Sequence, residues 1–317
     1  MGRPAGADVP SARSLARVLS PEAKESLKHL EVFARRKVDG FLHGIHRSRR
    51  IGVSTEFDHH ADYHPGDPLK HVDWRASARH DRYYVKRYVM DTALTVRLVV
   101  DRSASMLPVE SRIAAGPGKY LQACRLAACL AYLVVKERDA AGLTLTTARE
   151  TIWLPASSRD DRFVALLTAL VSSDAVDEDN LGACLRTILD RGERKGMIAV
   201  VSDLMFAPQP VQRQLASLVA QGHEVLVFQL REPVEEDFPF SRWVQFHDLE
   251  RPSVKHRVDT VPLKRIYREE YQALVEDWRR WANTHGVHFV TFRTDGHVET
   301  VLSEYIAFRN RTARRLV

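Results

Sequence analysis

The segment TVRLVVDRSASM, residues 95–106, contains an apolar, β-branched run that ends at Asp101. A second run of this kind, MIAVVSDL in residues 197–204, ends in the same way at Asp203. Between and beyond these runs, further apolar segments alternate with segments of helical periodicity. Continuous apolar strands that are separated by helices predict a mostly parallel sheet covered on both faces. We therefore predict an α/β fold with a doubly wound, Rossmann-like architecture.

The amino-acid composition changes along the chain and divides it into three parts. Residues 1–19 are rich in Gly, Pro and Ala and are predicted to be disordered. Residues 20–91 begin with a helix capped by Ser20, followed by a polar and aromatic segment that we call the platform segment (residues 44–91). Residues 92–317 hold the α/β domain, with a Pro- and acid-rich insertion at about 231–261.

Composition limits the class of protein. The chain has 317 residues, a net charge of +6 and a 44% hydrophobic share, which is typical of a globular protein. Its three cysteines form an odd set without C-x-x-C spacing, which favours a reducing compartment. The N-terminus lacks the apolar core of a secretory signal, and the longest apolar stretch is too short to span a bilayer. These features predict a cytoplasmic protein without a membrane span.

Carboxylates and hydroxyls are predicted to meet at one edge of the sheet. Asp101 and Asp203 each end an apolar strand, and Ser103 and Ser105 lie in the loop that leaves the first of these strands. In open α/β sheets, ligands bind outside the carboxyl ends of the strands. Oxygen ligands without His or Cys suit a hard cation, Mg²⁺ or in its place Mn²⁺ or Ca²⁺. The alternative interpretation is that the aspartates cap helices and the serines occupy turns.

DRSASM, together with the later SDL, resembles the metal-ion-dependent adhesion site of von Willebrand factor A domains. The preceding stretches GIHRSRRIGVSTEF, YHPGDPLKHVDWRASAR and DRYYVKRYVMDTAL resemble the signature of domain-of-unknown-function family 58. RKGMIAVVSDL, GHEVLVFQLREPVEEDFPF and FHDLE are also similar to that family. The resemblance covers the chain from about Gly40 to the C-terminus.

The resemblance implies a von Willebrand factor A-like fold and a partnership with AAA+ ATPases of the MoxR type, in chaperone-like assembly or maturation of client proteins. It implies that Asp101, Ser103 and Ser105 form the first metal-binding loop, and that Asp203 is a ligand through water. The remaining position of such a site is a threonine, and Asp179 or Asn180 stands in the matching place. Asp179 could ligate a cation, or the change could mark a degenerate site.

The platform segment carries other candidate residues. Those that match the family signature are Tyr63, Pro65, Gly66, Asp67, Asp73, Trp74, Arg75 and Arg79. We expect the two aspartates and two arginines among them to form buried ion pairs that hold the platform segment on the sheet. The alternatives are a zinc site, for which the spacing of His59, His60, His64 and His71 matches no known pattern, and nucleic-acid binding by interleaved arginines and tyrosines.

The sequence contains no phosphate-binding glycine loop and no nucleophile elbow, and it offers no convincing general base. We therefore predict a non-catalytic interaction protein that offers a cation to an acidic group of a partner, a MoxR-type ATPase or its client. The first alternative is a metal-free structural adaptor that recognises partners through the basic platform segment. The second is a divalent-metal phosphohydrolase.

Overall fold

The computed structural model describes residues 20–48, 57–63, 72–78, 82–88, 94–106, 118–146, 151–172, 181–205, 208–247 and 255–313. By their internal contacts, residues 1–40 with 94–317 form one compact unit, and residues 41–93 form a second. The N-terminal helix is thus grouped, up to Gly40, with the large unit rather than with the platform segment. The predicted disordered stretch 1–19 lies outside the described residues.

The large unit contains a six-stranded sheet in the order β10-β7-β6-β3-β4-β5. Five of the strands are parallel, and β5 at one edge is antiparallel to β4. The strands are β3 (Thr95–Val100), β4 (Ala140–Thr146), β5 (Thr151–Ser157), β6 (Met197–Ser202), β7 (Glu224–Arg231) and β10 (His288–Arg293). The central strands are almost wholly buried, as their unbroken apolar runs predict. The predicted α/β class is confirmed.

Helices pack on both faces of this sheet and on one another. They are α1 (Pro21–Ser48), α3 (Lys119–Lys136), α4 (Asp160–Ser172), α5 (Leu181–Arg191), α6 (Pro208–Ala220), α7 (Pro233–Asp237), α8 (Thr260–Thr284) and α9 (Val298–Ala313). One buried cluster joins α5, α6 and α8 to β3, β6 and β7, and Trp278 is its largest side chain. Helix α3 packs against β3 and β4 and is flanked by α4 and α9, none of which contributes to that cluster.

Two segments differ from the expectation. Helix α1 begins after Ser20, whose hydroxyl accepts a hydrogen bond from Ala23 N (3.2 Å), but it continues past the predicted end near Phe41. The predicted insertion at 231–261 contains α7 and an antiparallel hairpin of β8 (Trp243–His247) and β9 (Lys255–Asp259). Strand β9 was missed because its residues, KHRVD, are mostly polar and carry little hydrophobic alternation.

The second unit contains a hairpin of β1 (Phe57–Asp62) and β2 (Tyr84–Tyr88) and the short helix α2 (Trp74–Ser77). An isolated bridge joins Val72 to Val85, and both of these side chains are buried. Of the strand expected at residues 82–88, residues 84–88 form β2.

A close approach of the main chain fixes the start of β6 against β3. A Cβ placed on Gly196 would lie 2.5 Å from the carbonyl oxygen of Thr95, which is too short for any real contact. Strand β6 begins at the next residue and pairs with β3 from Val96 onward. The absence of a side chain at residue 196 is therefore a condition for the pairing of the two strands that end at the aspartates.

We expect Gly196→Ala to lower the free energy of unfolding by about 1–3 kcal/mol, because backbone must move to admit the methyl group. Urea denaturation followed by circular dichroism measures the change. Gly40→Ala is the matched control: a Cβ there meets nothing within 4 Å, and alanine favours a helix interior by about 0.5–1 kcal/mol. Equal stability of the Gly196→Ala protein and the wild type would contradict this account.

Candidate functional site

Two aspartates lie side by side at the carboxyl edge of the sheet. Strands β3 and β6 are parallel neighbours with Val100 opposite Val201, so Asp101, one residue later, and Asp203, two residues later, leave the sheet at the same edge. The Asp101 N–H donates to the Val201 carbonyl at 2.9 Å, which extends the ladder one residue beyond β3. Both carboxylates are buried, Asp101 with 3% and Asp203 with 1% of its surface exposed. From β3 the chain adds β4 and β5 on one side and β6, β7 and β10 on the other, so the strand order reverses between β3 and β6. Open α/β sheets form their binding crevices at such a point.

The loop after β3 brings two hydroxyls together. Asp101 Oδ1 accepts a hydrogen bond from Ser103 N at 2.9 Å, which turns the chain back over the strand end. A single 3₁₀ turn follows at Ala104–Met106, and both of its end residues are buried and anchor the loop. Ser103 Oγ and Ser105 Oγ lie 3.1 Å apart. The loop therefore presents a pair of hydroxyl oxygens directly after a buried carboxylate.

A serine that the sequence interpretation did not single out holds Asp101 in place. Ser202, the last residue of β6, donates from its hydroxyl to Asp101 Oδ2 at 2.6 Å and accepts from Leu204 N at 3.0 Å. Leu204 is fully buried and has a positive φ of 55°, a left-handed backbone conformation that costs a non-glycine residue about 1–3 kcal/mol. This turn leaves Asp203 Oδ1 within 3.2 Å of Met205 N. The β6 end is thus a tight, hydrogen-bonded turn around both carboxylates.

A buried lysine contacts the second aspartate. Lys119 is the first residue of α3 and has 2% of its surface exposed. Its Nζ donates to Asp203 Oδ2 at 2.6 Å and also to Glu235 Oε1. Burial by itself lowers the pKa of the Lys119 ammonium, but the carboxylates of Asp203 and Glu235 outweigh it and raise that pKa above its ordinary value. The lysine is therefore charged throughout the neutral range, and loss of one partner from such a buried pair costs about 3–5 kcal/mol.

Two glutamates after β7 complete this edge. Glu232 caps α7: its side chain accepts from the main chain of that helix, and Glu235 accepts from Glu232 N at 3.1 Å. Glu232 Oε1 also accepts from Lys119 N at 3.2 Å. Burial raises the pKa of the Glu232 carboxyl, against the opposing effect of the Lys119 charge. Sequence interpretation missed both glutamates because they lie in the segment that was assigned as an insertion.

The chemistry of the donors fits a hard cation in part. Asp101, Asp203, Glu232 and Glu235 bring four carboxylates to one edge, and Lys119 offsets them with one ammonium. This surplus of negative charge, together with the hydroxyl pair, suits Mg²⁺. Among the described residues, however, no three His, Cys, Asp or Glu side chains are arranged to hold a metal ion, and both oxygens of Asp203 accept hydrogen bonds from the protein. The predicted ligand Asp179, with Asn180, lies outside the described residues.

The platform residues act differently from the expectation. Asp73 Oδ1 caps helix α2 by accepting from Arg75 N and Ala76 N, both at 3.1 Å. Trp74 is 61% exposed and contacts the ring of Tyr83, and Arg75 is exposed. The expected buried ion pair of Arg75 is therefore wrong, because its position at the start of an exposed turn leaves it in solvent. Asp67 and Arg79, and His64 and His71 of the zinc alternative, lie outside the described residues.

Comparison with known proteins identifies the family. The model of the family named Protein of unknown function DUF58 matches residues 60–281. The chain belongs to this family. Two relatives of this DUF58 protein, both described as uncharacterised, come from Mycobacterium bovis and Mycobacterium tuberculosis. Each is 26% identical over 296 residues, which is 92% of this chain and 92% of the relative.

Several solved structures are similar to the DUF58 protein at low sequence identity. One is the conserved hypothetical protein BatB of Bacteroides thetaiotaomicron, with a TM-score of 0.44 and 16% identity over 68% of this chain and 98% of that one. Another is an aerotolerance-related membrane protein of Bacteroides fragilis, with a TM-score of 0.42 and 17% identity over 69% of this chain and 100% of that one. A third, an uncharacterised membrane-spanning protein of Vibrio fischeri, has a TM-score of 0.20 and 14% identity, and covers 68% and 98% of the two chains.

The cytoplasmic location expected from the sequence is contradicted by these comparisons, because two of the similar structures are described as membrane proteins. The expectation rested on the absence of a signal and of a long apolar stretch, and neither feature reports attachment to a membrane by other means. Within the described residues, no helix combines the length and the apolar character needed to cross a bilayer. We assign no compartment to the chain.

We expect Ser202→Ala to lower the free energy of unfolding by about 1.5–3 kcal/mol, because the buried Asp101 carboxylate loses a hydroxyl donor and Leu204 N loses its acceptor. Chemical denaturation without divalent cations measures this change. Ser303→Ala removes an exposed hydroxyl that bonds only its own helix, and should change stability by less than about 0.5 kcal/mol. Indistinguishable effects of the two substitutions would refute the assigned role of Ser202.

Proposed function

We propose that this DUF58 protein is a non-catalytic interaction module that binds an acidic group of a partner protein at the carboxyl edge of its sheet. The observation that carries the proposal is the arrangement of the Asp101 carboxylate with the two hydroxyls of Ser103 and Ser105, at the end of a strand beside the strand that ends at Asp203. Ser105 is only half-buried, so this oxygen set has a side toward solvent.

The sheet order supports a von Willebrand factor A-like assignment within this proposal. The order β5-β4-β3-β6-β7-β10 runs outward in both directions from β3, with one antiparallel strand at an edge. In such a sheet the binding crevice lies where the strand order reverses. Here it is formed by the loop after β3 and the end of β6. The resemblance of DRSASM to a metal-ion-dependent adhesion site concerns the same loop.

A divalent cation would be held here by Asp101, Ser103 and Ser105, and when bound it would supply an open coordination position for a carboxylate of the partner. The chain itself orients these oxygens. Asp101 is held by Ser202 and by the main chain of its own loop, and the buried Met106 anchors that loop. Asp179 remains a proposed further ligand.

Apolar side chains next to the site suit a protein partner. Met205, which follows Asp203 after the turn, is 37% exposed, and Leu121, in the first turn of α3, is 48% exposed. Methionine is enriched in protein interfaces, whose buried core is apolar and whose rim is polar. By the family resemblance, the partner we propose is a MoxR-type AAA+ ATPase or a client protein that it assembles or matures.

A metal-free adaptor is the second candidate, and the contact of Lys119 with Asp203 favours it. In that case the ammonium supplies the positive charge that the carboxylates need, and the partner is recognised without a cation. The two candidates differ in one measurable property, the dependence of stability and binding on divalent cations.

Mg²⁺ and Mn²⁺ should raise the melting temperature of the wild-type protein, because a ligand that binds only the native state stabilises it, by about 2.7 kcal/mol at a hundred times its dissociation constant. Ser103→Ala/Ser105→Ala should reduce the response strongly, whereas Ser303→Ala should keep it. Differential scanning calorimetry after treatment with EDTA provides the measurement. An absent response in the wild type, or an equal one in the double variant, would leave the metal-free adaptor as the better account.

Binding to the purified MoxR-type ATPase of the same organism should depend on the same oxygens. We expect the dissociation constant to rise at least about tenfold on removal of Mg²⁺ by EDTA, and on Ser103→Ala, because the cation bridges the two proteins. Biolayer interferometry measures both effects. Unchanged binding in EDTA would contradict a metal bridge, and no binding under any condition would contradict the proposed partner.

A further inference from the structure

The hairpin of β8 and β9 has one face packed on its own unit. Side chains alternate between the two faces of a strand, and residues paired across an antiparallel ladder lie on the same face. Val244 is paired with Val258, so these two side chains share a face with Phe246. All three are half-buried, and the Phe246 ring is stacked on that of the buried Phe238, with 6.2 Å between the ring centres. This face is therefore the inner one.

The outer face of the hairpin is exposed and carries more basic than acidic residues. Trp243 on this face is 61% exposed, and Lys255 and Arg257 are exposed as well. The Arg257 guanidinium lies over the Trp243 ring, 5.6 Å from its centre, in a cation–π contact. Asp259 is an acidic residue of the face, and its carboxylate accepts a hydrogen bond from Val261 N at 3.2 Å. Within the described residues, neither Lys255 nor Arg257 forms an ion pair, so both charges are available to a partner.

The start of α8 extends this outer face. Thr260 donates from its N–H and from its hydroxyl to the Arg242 carbonyl, at 2.9 and 2.7 Å, which joins the start of the helix to the start of β8. Val261 is 66% exposed, and Arg242 is exposed too. A third cation and an apolar side chain thus lie beside the first residue of β8. We use the term hairpin surface for Arg242, Trp243, Lys255, Arg257 and Val261.

This combination of side chains suits a bilayer that contains anionic lipid. A tryptophan ring has an apolar body and a polar N–H, and it is favoured at the level of the lipid headgroups. Basic residues around it are attracted to anionic headgroups, and an exposed aliphatic side chain is buried at the boundary with the acyl chains.

The size of the hairpin surface favours a lipid over a protein or a nucleic acid. Two strands of five residues form a face about 17 Å long and about 10 Å wide. This is far below the roughly 800 Å² that each partner buries in a stable protein interface. Single-stranded nucleic acid stacks successive bases on several aromatic rings, and the described part of this face offers one.

We propose that the hairpin surface attaches the protein to a membrane that contains anionic lipid. Trp243 and Val261 lie at the level of the headgroups, and the three cations pair with lipid phosphate groups. This inference goes beyond the proposed function, because none of the five residues of the hairpin surface belongs to the carboxyl edge of the large sheet. Either can therefore fail without the other.

Sedimentation with vesicles tests the proposal on the full chain. We expect the protein to bind vesicles of equimolar phosphatidylcholine and phosphatidylglycerol, and not vesicles of phosphatidylcholine alone. Lys255→Gln/Arg257→Gln should weaken binding to the anionic vesicles at least about tenfold, because each basic residue near the bilayer contributes about fivefold.

The matched control removes the same charge elsewhere. Arg279→Gln/Arg280→Gln takes two positive charges from the exposed side of α8, where these arginines pair with Glu276 and Asp277. This variant should keep the affinity of the wild type for the anionic vesicles. An equal loss of affinity in both double variants would show a general effect of net charge and would overturn the assignment to the hairpin surface.

Tryptophan fluorescence reports the contact of the hairpin with lipid directly. Phosphatidylglycerol with brominated acyl chains quenches a tryptophan that reaches the boundary of the headgroups. We expect the quenching of the wild type to be lost in Trp243→Ala and kept in Trp74→Ala, which removes a tryptophan of equal exposure (61%) from the second unit. Both side chains are exposed, so thermal unfolding followed by circular dichroism should be nearly unchanged.

The remaining outcomes also decide the question. Absence of binding to the anionic vesicles overturns the proposal, as does binding or quenching that the variants at Trp243, Lys255 and Arg257 retain. A single-stranded oligonucleotide and polyglutamate serve as the other probes. If the protein binds one of these but no vesicle, and Lys255→Gln/Arg257→Gln abolishes that binding, the partner is a nucleic acid or an acidic protein segment, and the lipid proposal is wrong.

Discussion

The parallel ladder between β3 and β6 is the constraint on which the site depends. Because Val100 lies opposite Val201 and Asp101 N continues the ladder to the Val201 carbonyl, Asp101 and, one residue further along its strand, Asp203 leave the sheet at the same edge. A shift of register would separate the two carboxylates and would move Ser202 away from Asp101. The close approach at Gly196, at the far end of the same pair of strands, holds this register. Backbone geometry at one end of β6 thus positions charged side chains at the other.

Charge balance is the second determinant of this edge. Four carboxylates gathered at the ends of three adjacent strands repel one another in a medium that screens poorly. Lys119 relieves part of this repulsion by contacting Asp203 and Glu235 directly and Glu232 through its main chain. Hydrogen-bond donors stabilise the carboxylates further, namely the Ser202 hydroxyl and the main-chain N–H groups of the two loops. Among these five charged side chains, a surplus of negative charge remains.

Much of the fold could be predicted because the strands are buried on both faces and read as unbroken apolar runs. The juxtaposition of Asp101 with Asp203 follows from the parallel order alone. Lys119 was missed, although a lysine in the first turn of an otherwise apolar helix is itself a signal of a carboxylate partner. Glu232 and Glu235 flank a proline at the first position of a helix, a capping signature that was hidden within an apparent insertion. Which strand end such side chains reach depends on tertiary packing and cannot be read from spacing.

Side chains and main chain of this edge satisfy one another in the described arrangement. The Lys119 ammonium donates a hydrogen bond to Asp203, and the hydroxyls of Ser103 and Ser105 are hydrogen-bonded to each other. The buried Lys119 ammonium contacts two carboxylates, and the buried Asp101 carboxylate accepts hydrogen bonds from the Ser202 hydroxyl and the Ser103 N–H, so both charges are compensated within the protein.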